Sequence, residues 1–290
     1  MSYQLAIGDR TYSSWSLRGW LMFETFGLPV QVRSARMYSP AFAELLADFA
    51  PARLVPAMKT PNGDLVYDTL AMAMILEERH PDIAFWPKDP AARGLARSIT
   101  AEMHAGFSAL RTACTMNLRC AFDGFAPSAE VLADITRIER LWSAARALSD
   151  GTGPYLFGGW SMADVFYAPV ATRIATFGLP VGKAAGDYVA AILANPSFRR
   201  WRAMGLAENF IQPGYDPDLP EAAWPGPRAL AAKAVAQGPS ENSACPYSGR
   251  PVTDFLELEG RIFGFCNPFC RDKTVADAMA WPAFVAIYQK

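Results

Sequence analysis

The chain is predicted to hold an α/β domain, an all-α domain and a small cysteine-containing α+β module, in that order. Three observations carry this prediction. Strand-like and helix-like segments alternate over residues 1–82, helical periodicity alone runs over residues 91–204, and three of the five cysteines fall within residues 243–290. A chain of 290 residues suits two or three such units, since domains usually hold roughly 100–200 residues. With 51% hydrophobic and 19% charged residues it has enough apolar side chain to build packed cores, which excludes global disorder.

Tyr3-Gln4-Leu5-Ala6-Ile7 reads as a strand. Residues 15–26 then place Leu17, Trp20, Leu21 and Phe23 at helical spacing, with Gly27 as a stop. Val30-Gln31-Val32 makes a second strand, and residues 40–49 make a helix with Pro40 suited to its first turn. Short strands at 55–59 and 65–67 flank Asn62-Gly63, a strong hairpin signal, and a helix over 70–79 ends at His80-Pro81. The order βαβα followed by ββα is the thioredoxin-like arrangement. Residues 87–90 read as a linker to helices at 91–122, 128–149, 162–177, 186–194 and 197–203, with no strand between them, so an all-helical domain is expected over 90–210. Residues 211–242, rich in Pro, Gly and Ala, read as a surface linker, and residues 243–290 as a separate module.

Charge and cysteine usage narrow the function classes. A net charge of -1 leaves no surplus of Lys or Arg to neutralise a phosphate backbone, so no nucleic acid is expected as a partner. No uncharged stretch approaches the roughly 20 residues that span a bilayer, and Met1-Ser2-Tyr3-Gln4 opens no signal-like pattern; the expectation is a cytoplasmic protein without a membrane partner. An odd number of cysteines argues against a disulfide framework and for thiols or metal ligands.

Three motifs carry chemistry. Ser13-Ser14-Trp15-Ser16-Leu17-Arg18 opens the first helix, Leu54-Val55-Pro56-Ala57-Met58 leads into the third strand, and Tyr67-Asp68-Thr69-Leu70-Ala71 opens the third helix. A helix start presents unpaired N–H groups and a partial positive charge, so it favours an anion such as a thiolate. Each motif also has a purely structural reading, with Ser13, Asp68 and Thr69 as helix caps and Pro56 as the opening of an edge strand.

Taken together, at this spacing and over about residues 1–205, the motifs resemble the soluble glutathione transferases, especially their serine-type, zeta-like branch with its Ser-Ser-Cys-Ser-x-Arg motif. Trp15 stands where that branch has Cys. The resemblance implies an all-α glutathione transferase domain behind the thioredoxin-like one and glutathione as co-substrate. It further implies Ser13 as hydrogen-bond donor to the sulfur with Ser14 beside it, and Trp15 in the binding site. Val55, ahead of a cis Pro56, would pair with the cysteinyl backbone as an added strand does. Asp68 would hold the γ-glutamyl ammonium, and Thr69 its carboxylate. The implied protein is a homodimer that adds glutathione to an electrophilic small molecule or uses it in an isomerisation; a non-enzymatic partner-binding scaffold on the same fold is the alternative. Glutathione-dependent disulfide reduction is disfavoured, because no Cys occupies residues 13–16.

Trp160-Ser161-Met162-Ala163-Asp164 resembles the buried capping box of the family's helical domain. His104, Ser108 and Arg111 share a helical face at three- and four-residue spacing. His104, Arg111 and Arg119 are candidates for the second substrate, since guanidinium binds carboxylate bidentately; salt bridges or solvated charges are the other reading. Cys114 and Cys120 read as packing residues.

Cys245-Pro246-Tyr247-Ser248-Gly249 and Gly264-Phe265-Cys266-Asn267-Pro268-Phe269-Cys270, joined by a hairpin at 257–263, resemble the YHS-type metal-binding modules. Cys245, Cys266 and Cys270 are candidate Zn²⁺ ligands, with Asp254, Asp272, a water or a group from elsewhere as the fourth; a metal-free module is the alternative. So small a module is expected to need metal, or docking onto the rest of the chain, for stability.

Overall fold

The computed structural model describes residues 2–290, which form two compact units. The first unit holds the chain up to Leu193 together with Gln212–Pro225, and the second holds Ala194–Ile211 with Gly226–Lys290.

In the first unit β1 (Tyr3–Ile7), β2 (Val30–Ser34), β3 (Ala57–Lys59) and β4 (Leu65–Val66) form a sheet in the order β2-β1-β3-β4. β1 and β2 are parallel, and β3 runs antiparallel to both β1 and β4. α1 (Ser14–Glu24) connects β1 to β2, α2 (Pro40–Ala47) connects β2 to β3, and α3 (Thr69–Arg79) follows β4. Successive side chains of a strand point to opposite faces, yet Leu5, Ala6 and Ile7 are all fully buried, so both faces of the central strand are covered. This is the thioredoxin-like arrangement, and the turn between β3 and β4 carries Gly63 at positive φ as the Asn-Gly pair requires.

The helical part of this unit comprises α4 (Pro90–Ala105), α5 (Ser108–Ala113), α6 (Ala129–Ala147), α7 (Met162–Thr176) and α8 (Lys183–Ala194). α7 is buried along almost its whole length and packs against both α4 and α1, so it is the element on which the sheet domain and the helical domain share one core. Its start is held by Asp164. One carboxylate oxygen accepts from the Ser161 N–H (2.8 Å) and hydroxyl (2.9 Å), and the other accepts from the Leu156 N–H and the Tyr188 hydroxyl, both at 3.1 Å. Burial pushes its pKa up to about 6, against the pull of these donors.

Two expectations are corrected here. The single helix over 91–122 is broken: α4 stops at Ala105, Phe107 takes a left-handed conformation (φ 57°), and after α5 the residues up to 120 are irregular. The new helix start is stabilised from outside, because Asp134 on α6 accepts the Leu110 N–H at 2.9 Å. His104 and Arg111 therefore lie on different helices rather than on one face. The helical region is also not free of strands, since β5 (Ala121–Phe122) pairs with β6 (Glu221–Ala222). Thr115 donates to the Tyr215 carbonyl at 2.9 Å and Asn117 to Asp216 at 2.5 Å, so part of the stretch expected as a linker is fastened to the first unit.

In the second unit α9 (Pro196–Ala207) packs with the C-terminal residues rather than with the helices that precede it. β7 (Ala232–Val235), also within the stretch expected as a linker, pairs with β8 (Asp254–Leu258), which pairs with β9 (Arg261–Phe265); α10 (Pro268–Ala276), a short 3₁₀ turn (Ala278–Ala280) and α11 (Pro282–Tyr288) follow. The β8–β9 loop is Glu259-Gly260, both at positive φ (53° and 78°), as a two-residue hairpin turn of type I′ demands. Leu256, Leu258, Phe263, Phe265 and Phe284 form the core, with Ala203 and Met204 of α9 packed into it. Arg199 of α9 grips Asp277 with two hydrogen bonds (2.8 and 2.6 Å). The docking that so small a module needs is thus supplied by α9.

Replacing Asp164 with Ala strands buried donors in the first unit's core. We expect a loss of about 3–5 kcal/mol of stability, read as a lower urea midpoint by tryptophan fluorescence.

Candidate active site

The site is built on the loop between β1 and α1. Ser13 is the N-cap of α1: its Oγ accepts the Ser16 N–H (3.2 Å) and donates to Ser16 Oγ (2.8 Å), which also accepts the Gly8 N–H (3.0 Å). The start of the helix is thereby tied to the end of the central strand. Ser14, the first residue of the helix, is different: among the described residues its hydroxyl has no hydrogen-bond partner, nor have the N–H groups of Ser14 and Trp15. These are the free donors that a helix start leaves over.

A cavity of about 660 Å³ opens at this point. Ser13, Ser14 and Trp15 line one side together with Val55, Pro56, Asp68 and Thr69, while Ser108, Arg111 and Arg173 come from the helical domain. The Val55–Pro56 bond is cis, and the backbone N–H and C=O of Val55 have no partner among the described residues, as an added strand would require. Gly19 lets α1 come this close: a Cβ there would meet the Pro56 ring at 2.8 Å. Asp68 is the N-cap of α3, where Oδ1 accepts from Leu70 and Ala71 (2.8 and 3.1 Å), and Oδ2 lies 3.2 Å from His104 Nε2. Thr69 Oγ1 lies 3.4 Å from the other ring nitrogen of His104.

The electrostatics are one-sided. Arg18 and Arg111 place their guanidinium groups over the Trp15 ring, at 4.5 and 5.1 Å from its centroid, and His104 meets the same ring edge-on at 5.3 Å. Arg18 is almost fully buried, with Nε and Nη1 unpaired; burial, then the charges of Arg173 and Arg111, push its pKa down to about 9. Arg173 donates to the carbonyls of Cys114 (2.7 Å) and Pro169 (3.1 Å), and burial with Arg111 pushes it down to about 10. Burial also lowers Arg111. All three stay cationic at neutral pH, while Asp68 is the only acidic residue among the described residues of the cavity lining, so the cavity is set up to receive negative charge.

Of the residues expected from the sequence, Ser13, Ser14, Trp15, Val55, Pro56, Asp68, Thr69 and Arg111 all line the one cavity; His104 stands behind Asp68 and Thr69, and Arg119 lies outside the lining. Tyr12, Arg173 and Tyr215 join the wall without having been expected. A lone Arg in the otherwise apolar run Val170-Ala171-Thr172-Arg173-Ile174 was a usable signal for Arg173, whereas Tyr215 lay in a stretch read as a linker. Cys114 is buried and pushed up to about 12 by burial, which suits a packing residue. In the second unit the sulfurs of Cys245, Cys266 and Cys270 lie within 4.8 Å of one another.

The chain is similar to several known proteins. Residues 12–79 match the family model of the glutathione S-transferase N-terminal domain. A probable maleylacetoacetate isomerase of Caenorhabditis elegans is 26% identical over 166 residues, which cover 56% of this chain and 73% of that protein. Among solved structures, a glutathione transferase homolog from Burkholderia gl BGR1 with bound glutathione is 23% identical at a TM-score of 0.52, over 71% of this chain and 99% of the other. Glutathione transferase Omega 3C from Trametes versicolor is 19% identical at a TM-score of 0.52, over 70% and 88%. The fold is that of the glutathione transferases: a thioredoxin-like domain followed by a helical domain. No helix among the described residues is long and apolar enough to cross a membrane.

Burial, Arg18 and Arg111 lower the His104 pKa, against the opposing pull of the Asp68 charge and hydrogen bond. In NMR titration His104 is expected to titrate below about 6.5, and Asp68→Asn to move it further down.

Proposed function

We propose that the chain is a glutathione-dependent enzyme of the serine, zeta-like type, acting as a cytoplasmic homodimer on a small electrophile that carries a carboxylate. The observation that carries this reading is one cavity joining a helix start with free donors to an arginine-rich wall. Glutathione lies along the sheet domain, its γ-glutamyl end at Asp68 and Thr69 and its cysteinyl backbone on Val55. Its thiol sits at the start of α1. There the free N–H groups and the Ser14 hydroxyl stabilise the thiolate, with Ser13 holding the helix start in place and sharing its hydroxyl. The thiolate sulfur adds to the β-carbon of an activated alkene, whose π electrons move onto the conjugated carbonyl; the resulting enolate either takes a proton from water, leaving a thioether, or turns about the former double bond and expels the thiolate, leaving an isomer. Arg111 and Arg173 hold the substrate's carboxylate from the opposite wall.

The carboxylate preference is favoured by the two arginines on the helical side, with the C. elegans relative's isomerase name in support. The partner-binding alternative needs no thiolate at all, which makes the ionisation of bound glutathione the deciding observation.

Glutathione titrated into the chain is expected to bind at millimolar concentration or below, with thiolate absorbance showing a thiol pKa below the free value of about 8.5. Ser14→Ala should raise that pKa and lower kcat/KM roughly 10- to 100-fold. Ser13→Ala should add a loss of about 1 kcal/mol in stability from the missing cap. No binding at millimolar glutathione, or binding with an unshifted thiol, would sink the enzyme reading. Arg111→Met and Arg173→Met are each expected to raise KM for an acidic electrophile about tenfold, while leaving its neutral amide unaffected; equal effects on both would remove the carboxylate assignment.

A further inference from the structure

The cysteine cluster of the second unit lies on three separate pieces of backbone. Cys266 directly follows β9, Cys270 sits in the first turn of α10, and Cys245 opens a tight turn closed by Gly249 N–H to the Cys245 carbonyl (2.9 Å) and Cys245 N–H to the Arg250 carbonyl (2.8 Å). Gly249 has φ 69°, the conformation that lets the turn close. Their sulfurs lie within 4.8 Å of one another. Four thiolates about 2.3 Å from one tetrahedral ion would stand roughly 3.8 Å apart, so a small contraction brings these three into coordination.

Polar donors surround two of the sulfurs. Backbone N–H groups of Tyr247, Cys266 and Ser248 hydrogen-bond the Cys245 sulfur, and the Ser248 hydroxyl (3.1 Å) and Asn267 amide (3.2 Å) donate to Cys266 Sγ. Neither carboxylate expected as a fourth ligand is available. Asp254 and Asp272 both pair with Arg271, at 3.2 and 2.7 Å, and no other His, Asp or Glu among the described residues joins the cluster.

Ser248 lies beside the cluster, its hydroxyl 3.1 Å from Cys266 Sγ. It follows Cys245 at the spacing of a Cys-x2-Cys zinc turn, yet carries a hydroxyl where the second thiol would stand, and it is exposed to solvent. We infer that Cys245, Cys266 and Cys270 hold Zn²⁺ as a three-thiolate site whose fourth position faces solvent beside Ser248 and takes a water or a small external ligand. This is the coordination of an ion that can be approached and exchanged, rather than the closed four-ligand set of a purely structural site.

Cobalt(II) titration of the full chain, reduced with a phosphine so that no added thiol competes, tests this. One cobalt per chain is expected, with intense thiolate-to-cobalt absorption displaced stoichiometrically by zinc. Imidazole should shift the visible cobalt bands by entering the open position. Ser248→Cys should raise the charge-transfer intensity by about a third, as three sulfurs become four, and abolish the imidazole response. Cys266→Ser, with its fold checked by circular dichroism, should weaken binding at least tenfold. Failure of the reduced wild type to bind cobalt or zinc at one equivalent would overturn the site. An imidazole-insensitive wild-type spectrum would overturn the open position, whatever becomes of the variants.

Discussion

The closed set of hydrogen bonds among Gly8, Ser13 and Ser16 is the constraint on which the rest of the first unit turns. It joins the last residues of the central strand to the first turn of α1, so the helix start has one position relative to the sheet. Trp15 then projects from that turn into a nest of Arg18, Arg111 and His104, which brings side chains of the helical domain to the same place. Because Ser13 and Ser16 are engaged with one another, the adjacent Ser14 is left as the unencumbered hydroxyl. A motif of three serines thus divides into two that shape the backbone and one whose hydroxyl has no partner among the described residues.

Much of this was legible in the sequence, and for identifiable reasons. Residues 13–16, 54–58 and 67–71 each act within their own turn: a cap, a proline-led strand and a second cap depend on neighbours a few residues away. Local chemistry of that kind survives a reading without coordinates. The break after Ala105 does not, because the carboxylate that receives the new helix start belongs to Asp134, 24 residues from the N–H that it satisfies. The same holds for Arg173 and Tyr215, whose place on the cavity wall comes from tertiary packing, and for β6, a strand of two residues too short to leave a pattern.

In the second unit the balance is reversed. The hairpin turn Glu259-Gly260 and the Asn267 cap of α10 are strong local signals, yet the stability of the unit rests on α9, whose sequence reads as one more member of the helical series before it. The Arg199–Asp277 pair, separated by 78 residues, fastens that helix to the cysteine-bearing hairpin and helix. Asp254 and Asp272 lie near the cysteines in sequence, yet both are paired with Arg271, a partner that sequence proximity alone does not reveal.

The chain passes from the first unit to the second at residue 194, returns at 212 and leaves again at 226. Its two parts are therefore laced rather than strung in series. No single cut separates them: cleavage near residue 210 strips Tyr215 and β6 from the unit that holds the cavity, and cleavage near 226 leaves α9 behind without α10, against which it packs. For such a polypeptide the cysteine-bearing region is not a detachable tag.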